Sequence, residues 1–463
     1  MASNTGFRLP RTCLPAPGID LKKWAVVACD QYTAEPAYWR AVETEVGDAP
    51  STLKLIFPEV HLGAADAPAR IARIQQAMHQ YLADGLLREH DGAILVERTV
   101  HGRTRRGLML ELDLEHYDFS AGSTSLIRPT EGTIVARLAP RIEVRRGAEL
   151  ELPHILVLID DPQHTVIEPI AAARAALAPL YDTELMQGGG RVAGFAVSAA
   201  AAGRAVQALS ALAEPQAFAT RYGVPAGTPP MLFAVGDGNH SLATAKSIWD
   251  AAKATVGPDH PSRWALVEVE NIHDPALHFA PIHRLLFGVT ADVRRALADA
   301  FGPRVSCTDV ASAAAMRERL DAMSSTSAVN AASAVRAMGA VSAINTISVT
   351  GGARHVAGLI GPGARFSVVE LADPPAGLAV GTFQAFIDGL IDRGGASDVD
   401  YVHGDDVLER LAVAEGCIGL HLAGVGKSEL LKRVVHDGPL PRKTFSMGEA
   451  HEKRFYVEAR RIR

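Results

Sequence analysis

The chain is poor in cysteine: Cys13, Cys29, Cys307 and Cys417 are the four it has in 463 residues. None forms a CxxC pair, so neither a zinc knuckle nor a disulfide framework is indicated. Long apolar runs are missing too. Proline, glycine or a charge interrupts every stretch that could otherwise cross a bilayer. The opening segment, MASNTGFRLPRTCLPAPGID, has no apolar signal-peptide core. Nor is there an excess of positive charge. The formal net charge is -6, which gives no general attraction to nucleic acid or anionic lipid. These absences lead us to expect a soluble, cytoplasmic protein with neither nucleic acid nor membrane among its partners. The local basic clusters HGRTRRG and PRIEVRRG read as solvated faces. Nothing in the composition fixes an oligomeric state.

What is present is a globular composition, 48% hydrophobic and 21% charged. The length calls for more than one core. Strand-like and helix-like segments interleave throughout, so the expected class is α/β to mixed α+β. KWAVVACDQYTAEPAYW reads as a buried strand, a polar turn and a helix started by Pro36. TVIEPIAAARAALAPLYDTELM reads as helical by composition. The stretch from Ser123 to Pro162 reads as strand-like runs mixed with turn residues, ending in an apolar strand, His154 to Ile159. FAVGDGNHSLATAKSIW reads as strand, loop and helix, and NTISVTGGARHVAGLIG as a hairpin turning at Gly351-Gly352.

The FAVGDGNHSLATAKSIW segment carries the densest chemistry. Gly236 and Gly238 allow positive φ and close backbone approach. Backbone N–H groups at a helix start, with the helix dipole behind them, favour an anion such as phosphate. Asn239, His240, Ser241 and Thr244 add an amide, an imidazole and two hydroxyls, and Asp237 adds a carboxylate. A capped turn with a buried histidine is the plain alternative. A second candidate is IRPTEGTIVARLAPR, where Glu131 stands among Arg128, Arg137 and Arg141. A carboxylate near arginines stays ionised and can serve as a base or a metal ligand; a surface ion-pair network is the plain alternative. A third is Asp30 and Gln31 at the end of a buried strand, where α/β proteins place ligand contacts, although a capping turn explains them as well.

Histidines also gather in NIHDPALHFAPIHR, with His273, Asp274, His278, His283 and Arg284. Their spacing matches no standard ligand pattern, so structural or substrate-lining histidines are expected here in place of a catalytic metal cluster. LPRKTFSMGEAHEKRFY is a dense polar stretch with Lys443, Thr444, Ser446, His451, Lys453 and Arg454. Its lysines and arginines suit phosphate or carboxylate; a solvated terminal strand is the plain alternative. GVGKSELLK imitates the end of a Walker A loop, but the required first glycine is His421. GGGRVAG falls short of a dinucleotide fingerprint.

Together, WAVVACDQYTAEPAYW, IRPTEGTI, ELPHILVLIDDP, VGDGNHSLATAK, NIHDPALHFAPIHR and PLPRKTFSMGEAHEKRFY resemble the bacterial domain-of-unknown-function family numbered one thousand fifteen. The resemblance spans nearly the whole chain. Many relatives carry Asp-Gly-His-His-Arg in the central loop, which in turn resembles the same box in the ParB/sulfiredoxin-like superfamily of free-serine kinases, nucleotide-switching partition proteins and sulfiredoxins. Asp237 and His240 match the Asp and second His of that box. Asn239 stands for the first His and Ser241 for the Arg, which removes a strong phosphate partner.

The resemblance implies a ParB/sulfiredoxin-like core over residues 1–295, with N-terminal strands and a helical insertion. An Ala/Ser-rich helix and hairpin region over 296–375 and a helix–strand region over 376–463 would follow it. It implies ATP or ADP with Mg2+, nucleotide phosphates at Gly236, Gly238, Asn239, Ser241 and Thr244, and catalysis by Asp237 and His240; Glu131 is the candidate base by its order in the chain and its chemistry. Asp30, Gln31, Arg128, His283, Arg284 and Lys443 would hold the substrate. The expected activity is a nucleotide-dependent kinase for a small hydroxyl substrate, with free L-serine the first choice. The alternative is a non-catalytic nucleotide-binding switch. A sulfiredoxin-like reductase would need Cys29 exposed with a depressed pKa, which its apolar strand neighbours disfavour.

Overall fold

The computed structural model describes residues 5–135, 138–323 and 354–463. The architecture is mixed α/β, and the chain divides into two compact units. The first comprises Met1–His278, Lys427–Leu440 and Met447–Arg463; the second comprises Phe279–Gly426 and Pro441–Ser446. Among the described residues no helix is long and apolar enough to cross a membrane.

The first unit is built on one mixed sheet. Its strands are β1 (Phe7–Arg8), β2 (Ile94–Val100), β3 (Arg103–Asp113), β4 (Ile127–Pro129), β5 (Leu156–Ile159), β6 (Ala178–Glu184), β7 (Arg191–Ala196), β8 (Phe233–Asp237) and β9 (Trp264–Asn271). They lie in the order β6-β7-β2-β3-β9-β5-β8-β4, with β1 added on β3. Alternation along the strands loads both faces with apolar side chains. Leu95, Leu108, Leu110, Val157 and Val235 enter one core, and Ile94, Val96, Met109 and Leu266 enter the other. Three helices matter for the site: α1 (Ala67–Ala83), α2 (Leu138–Arg145) and α3 (Asn239–Val256). α3 buries Leu242, Ala243, Ala245 and Trp249 in the first of these cores.

Two strand pairings place the central loop. β8 runs parallel to β4, with Val235 opposite Pro129. It runs antiparallel to β5, with Asp237 opposite Leu156. The C-terminal ends of β8 and β4 and the start of β5 therefore share one sheet edge.

The second unit holds a smaller sheet of β10 (Phe279–Phe287), β11 (Val305–Val310), β12 (Arg354–Gly361), β13 (Arg365–Ala372), β14 (Asp398–His403) and β15 (Ile418–Leu422). Its order is β11-β13-β12-β15-β10-β14. Leu286, Leu359 and Val369 pack with Phe383 and Ile387 of the helix Ala379–Asp392. Their neighbours Leu285, Ile360 and Val368 face the other way, toward Met316, Leu320 and Leu408.

Local structure departs from the sequence reading in three places. Residues 178–184, expected as helix, form β6, because Tyr181 buries its ring and the strand hydrogen-bonds along β7. Here sheet pairing overrides helix propensity. Leu138–Arg145, expected as strand and turn, is the helix α2. The helix after the central loop begins at Asn239, so Asn239, His240 and Ser241 belong to its first turn. The expected hairpin turn at Gly351-Gly352 lies outside the described residues.

Candidate functional site

The central loop is tighter than its sequence implies. β8 ends at Asp237 and Gly238 alone connects it to α3, at φ 79° with no side-chain cap. A β-carbon at Gly238 would come within 3.0 Å of Ile155, so the left-handed backbone and the close strand both require glycine. At Gly236 a β-carbon would meet Met447 Sδ at 2.5 Å. The Asp237 carboxylate folds back on the turn, Oδ1 accepting from Gly238 N–H at 2.9 Å. Its Oδ2 lies 3.0 Å from Lys453 Nζ. Asn239 donates from its amide to Val235 O, and its Oδ1 is buried without a hydrogen-bond partner. Thr244 Oγ1 donates to His240 O at 2.7 Å.

The parallel register of β4 carries the Glu131 segment alongside this loop. Thr130 Oγ1 donates to Val235 O at 2.6 Å. Glu131 bridges to Leu440, and Ile134 N–H donates to His240 Nε2 at 3.4 Å. That bond leaves the proton of a neutral His240 ring on Nδ1. The antiparallel register brings His154, just before β5, to the other side. Ser241 Oγ and His154 Nε2 are 2.9 Å apart, and His154 Nδ1 is 2.8 Å from Tyr456 OH. The Tyr456 oxygen also accepts from Cys29 N–H. Asp30 Oδ2 stands 3.8 Å from His154 Nε2, with Gln31 Nε2 donating to Asp30 Oδ1. Burial works against the Asp30 carboxylate, but His154, Gln31 and Lys453 outweigh it and hold its pKa below the ordinary value.

Asp30, Gln31, Glu131, Gly236, Asp237, Gly238, Asn239, His240, Ser241 and Thr244 thus gather at one sheet edge. Arg128 is engaged elsewhere: its guanidinium donates to the carbonyls of Ser125, Thr124 and Pro229. His283, Arg284 and Lys443 belong to the second unit, where Arg284 Nη1 donates to Lys443 O. Arg137 lies outside the described residues. Sequence reasoning passed over His154 and Tyr456. Both lie in segments quoted for the family resemblance, the histidine after Pro153 at the mouth of an apolar strand and the tyrosine in the terminal alternating run, but neither stands out there as a site residue. Cys29 is not a thiolate site. Burial first, then Asp30 and Glu59, push its thiol well above the ordinary value.

Beneath Ser241 and His154 lies a cavity of about 140 Å³. α1, α2 and the segments around Phe57 and Leu152 form most of its wall, which is largely apolar. Two arginines reach it, and each meets a carboxylate: Arg141 with Glu59 at 2.6 Å and Arg145 with Glu151 at 2.5 Å.

Among the described residues, His283, Asp405 and His421 of the second unit form a group with metal-like spacing. β10 and β15 pair antiparallel with Arg284 opposite Leu420, which sets the two histidines side by side, their rings stacked at 4.3 Å. His283 Nδ1, however, accepts from Leu422 N–H at 3.1 Å. A neutral ring then carries its proton on Nε2, which faces Asp405 at 2.9 Å. The arrangement is that of a hydrogen-bonded clasp on Asp405. In the first unit, both Asp237 oxygens are engaged, Oδ1 by Gly238 N–H and Oδ2 by Lys453.

No curated protein matches the chain. Among solved structures it is similar to a free serine kinase in complex with AMP, at 11% identity and a TM-score of 0.36, over 75% of this chain and 90% of that one. It is similar to a mutant of a free serine kinase in complex with ADP, at 10% identity and a TM-score of 0.37, over 75% and 91%. A conserved hypothetical protein from Pyrococcus furiosus is similar at 11% identity and a TM-score of 0.33, over 75% and 93%. The family model described as Protein of unknown function (DUF1015) matches residues 13–386, and the chain belongs to that family.

Proposed function

We propose that the protein is a nucleotide-dependent phosphotransferase that acts on a small hydroxyl compound. The observation that carries this reading is the first turn of α3. Gly238 opens it without a side-chain cap, and Lys453 stands beside it at Asp237. Amides at a helix start and a nearby ammonium are suited to phosphate oxygens. The resemblance of this loop to the ParB/sulfiredoxin-like box supports the same ligand. A nucleotide phosphate would share Lys453 with Asp237 and take donors from Asn239, His240 and Ser241. Mg2+, when bound with the nucleotide, would spread the charge on the phosphates.

The acceptor hydroxyl oxygen attacks the terminal phosphorus, the phosphoanhydride P–O bond breaks, and the nucleotide leaves one phosphate shorter. The hydroxyl proton passes to a base, for which Glu131 is the candidate beside the loop. The test is a product screen with ATP, ADP and CTP, crossed against L-serine, other hydroxyl amino acids, polyols and simple alcohols. A phosphorylated acceptor is expected. Nucleotide binding without transfer to any acceptor would favour a nucleotide-binding switch, and no binding of any nucleotide would end both readings.

A further inference from the structure

We infer that the cavity under Ser241 takes an acceptor with an apolar body about the size of a benzene ring, and not a zwitterionic amino acid. The inference rests on the phosphotransfer reading for calling the ligand an acceptor; the cavity itself does not depend on it. A space of about 150 Å³ among aliphatic and aromatic side chains accommodates a benzene-sized molecule. This one measures about 140 Å³, with Leu55, Phe57, Met78, Val144, Ala148 and Leu152 in its wall. All but Val144 and Leu152 are buried.

Charge decides against a free amino acid. Its carboxylate and ammonium would each lose water on entry and would each need a partner. The cavity arginines are already matched by Glu59 and Glu151. Burial works to raise Glu151, but Arg460 and Arg145 outweigh it and hold its pKa below the ordinary value, so the carboxylate remains a partner. A zwitterion would have to break these pairs, and breaking one partner from a buried ion pair is costly. An alcohol asks for one polar contact. Ser241 and His154 supply it where the cavity meets the first turn of α3, with Thr244 on the same wall. The hydroxyl end of the ligand would then lie at the turn proposed to hold phosphate, and its apolar end would lie between α1 and α2.

The test uses benzyl alcohol and 3-methylbutanol against L-serine and glycerol. Binding to the nucleotide-free full chain is measured by saturation-transfer NMR and titration, and phosphorylation is measured separately. The two apolar alcohols are expected to bind at least tenfold more tightly than L-serine. Ala148→Phe, which fills the cavity, is expected to weaken benzyl alcohol at least tenfold and leave nucleotide affinity unchanged. Should that variant fail to fold, Met78→Ala, which enlarges the cavity, is expected to shift preference toward a bulkier aryl alcohol. Alcohol binding in a protein that binds no nucleotide would uphold the cavity and end the phosphotransfer reading. L-serine binding in preference to both alcohols would overturn the inference. So would a folded Ala148→Phe protein that binds benzyl alcohol like the parent, or a folded Met78→Ala protein with unchanged preference.

Discussion

Ser241 Oγ and His154 Nε2 meet at 2.9 Å although they are 87 positions apart. The contact follows from sheet topology: β8 and β5 are antiparallel neighbours with Asp237 opposite Leu156, so the turn that leaves β8 faces the residues that enter β5. Tyr456 then fixes the other imidazole nitrogen from the chain's terminal segment. Three segments distant in sequence converge on one turn of helix. That convergence is what gives a short glycine loop a defined chemical surround.

Lys453 is expected to be the main cationic partner of a bound phosphate. Lys453→Met keeps the aliphatic stem and removes the ammonium, which is largely buried against Asp237. A hydrogen bond to a charged group contributes roughly 1.5–3 kcal/mol. Nucleotide affinity should therefore fall at least about tenfold. Calorimetry on a variant with parental circular dichroism checks this, and an unchanged Kd would take Lys453 out of the site.

Lys427 is expected to leave nucleotide binding untouched, despite the sequence GVGKS around it. Its ammonium donates to the carbonyl of Asp274 at 2.5 Å, and burial lowers its pKa. Lys427→Ala should give a nucleotide Kd within about twofold of the parent, since surface phosphate loops bind through this lysine and this one is otherwise engaged. A loss of tenfold or more in a folded variant would mean that the loop is a phosphate site after all.

Glu270 predicts how stability varies with pH. It is fully buried on β9, with Oε1 ion-paired to Arg105 Nε at 2.6 Å and Oε2 buried without a hydrogen bond. Burial, opposed by Arg105 and reinforced by Glu268, raises its pKa from the ordinary 4.5 to about 8. The folded protein then holds this proton more tightly than the unfolded chain does. The group's contribution to stability is full below about 4.5, declines as pH rises toward about 8, and is level above that. Glu270→Gln mimics the protonated form and should flatten this part of the profile. Melting temperatures of both proteins between pH 5 and pH 9 provide the check; parallel curves would show that Glu270 does not titrate in this window.

The sequence was most legible where local chemistry and topology agree. Gly236-Asp237-Gly238 at a strand end announced a tight turn into a helix, and the structure has one. The turn is shorter than expected because Gly238 alone accomplishes it, which moves His240 and Ser241 into the helix. β6 was misread because alanine-rich composition suggests helix, while its pairing with β7 is decided by residues a turn away. α2 was misread because its arginines and proline look like loop punctuation. Its inward residue, Leu138, is buried only through tertiary packing. His154 and Tyr456 lie in segments that carry the family resemblance, but nothing local in those segments pairs them; their meeting comes from strand register, which no local pattern records.

Glu131 is expected to act on the acceptor hydroxyl and not on the nucleotide. The parallel register of β4 and β8 sets Pro129 opposite Val235, so the chain that continues to Glu131 runs beside the chain that continues to Asp237. Thr130 is tied to that strand through Val235 O, and Ile134 reaches His240. A carboxylate in this position suits orienting a hydroxyl and taking its proton. Glu131→Gln is nearly isosteric and removes the charge. It should lower turnover by roughly 10²–10⁴-fold, the usual range for a positioned base, and change nucleotide affinity little. The competing role is structural, an ion-pair partner of the nearby arginines. A purely structural Glu131 should show itself as a lower melting temperature with near-normal turnover in the folded fraction. Measuring turnover, nucleotide Kd and melting temperature on one preparation separates the two roles, and parental turnover in the Gln variant would end the assignment of Glu131 as the base.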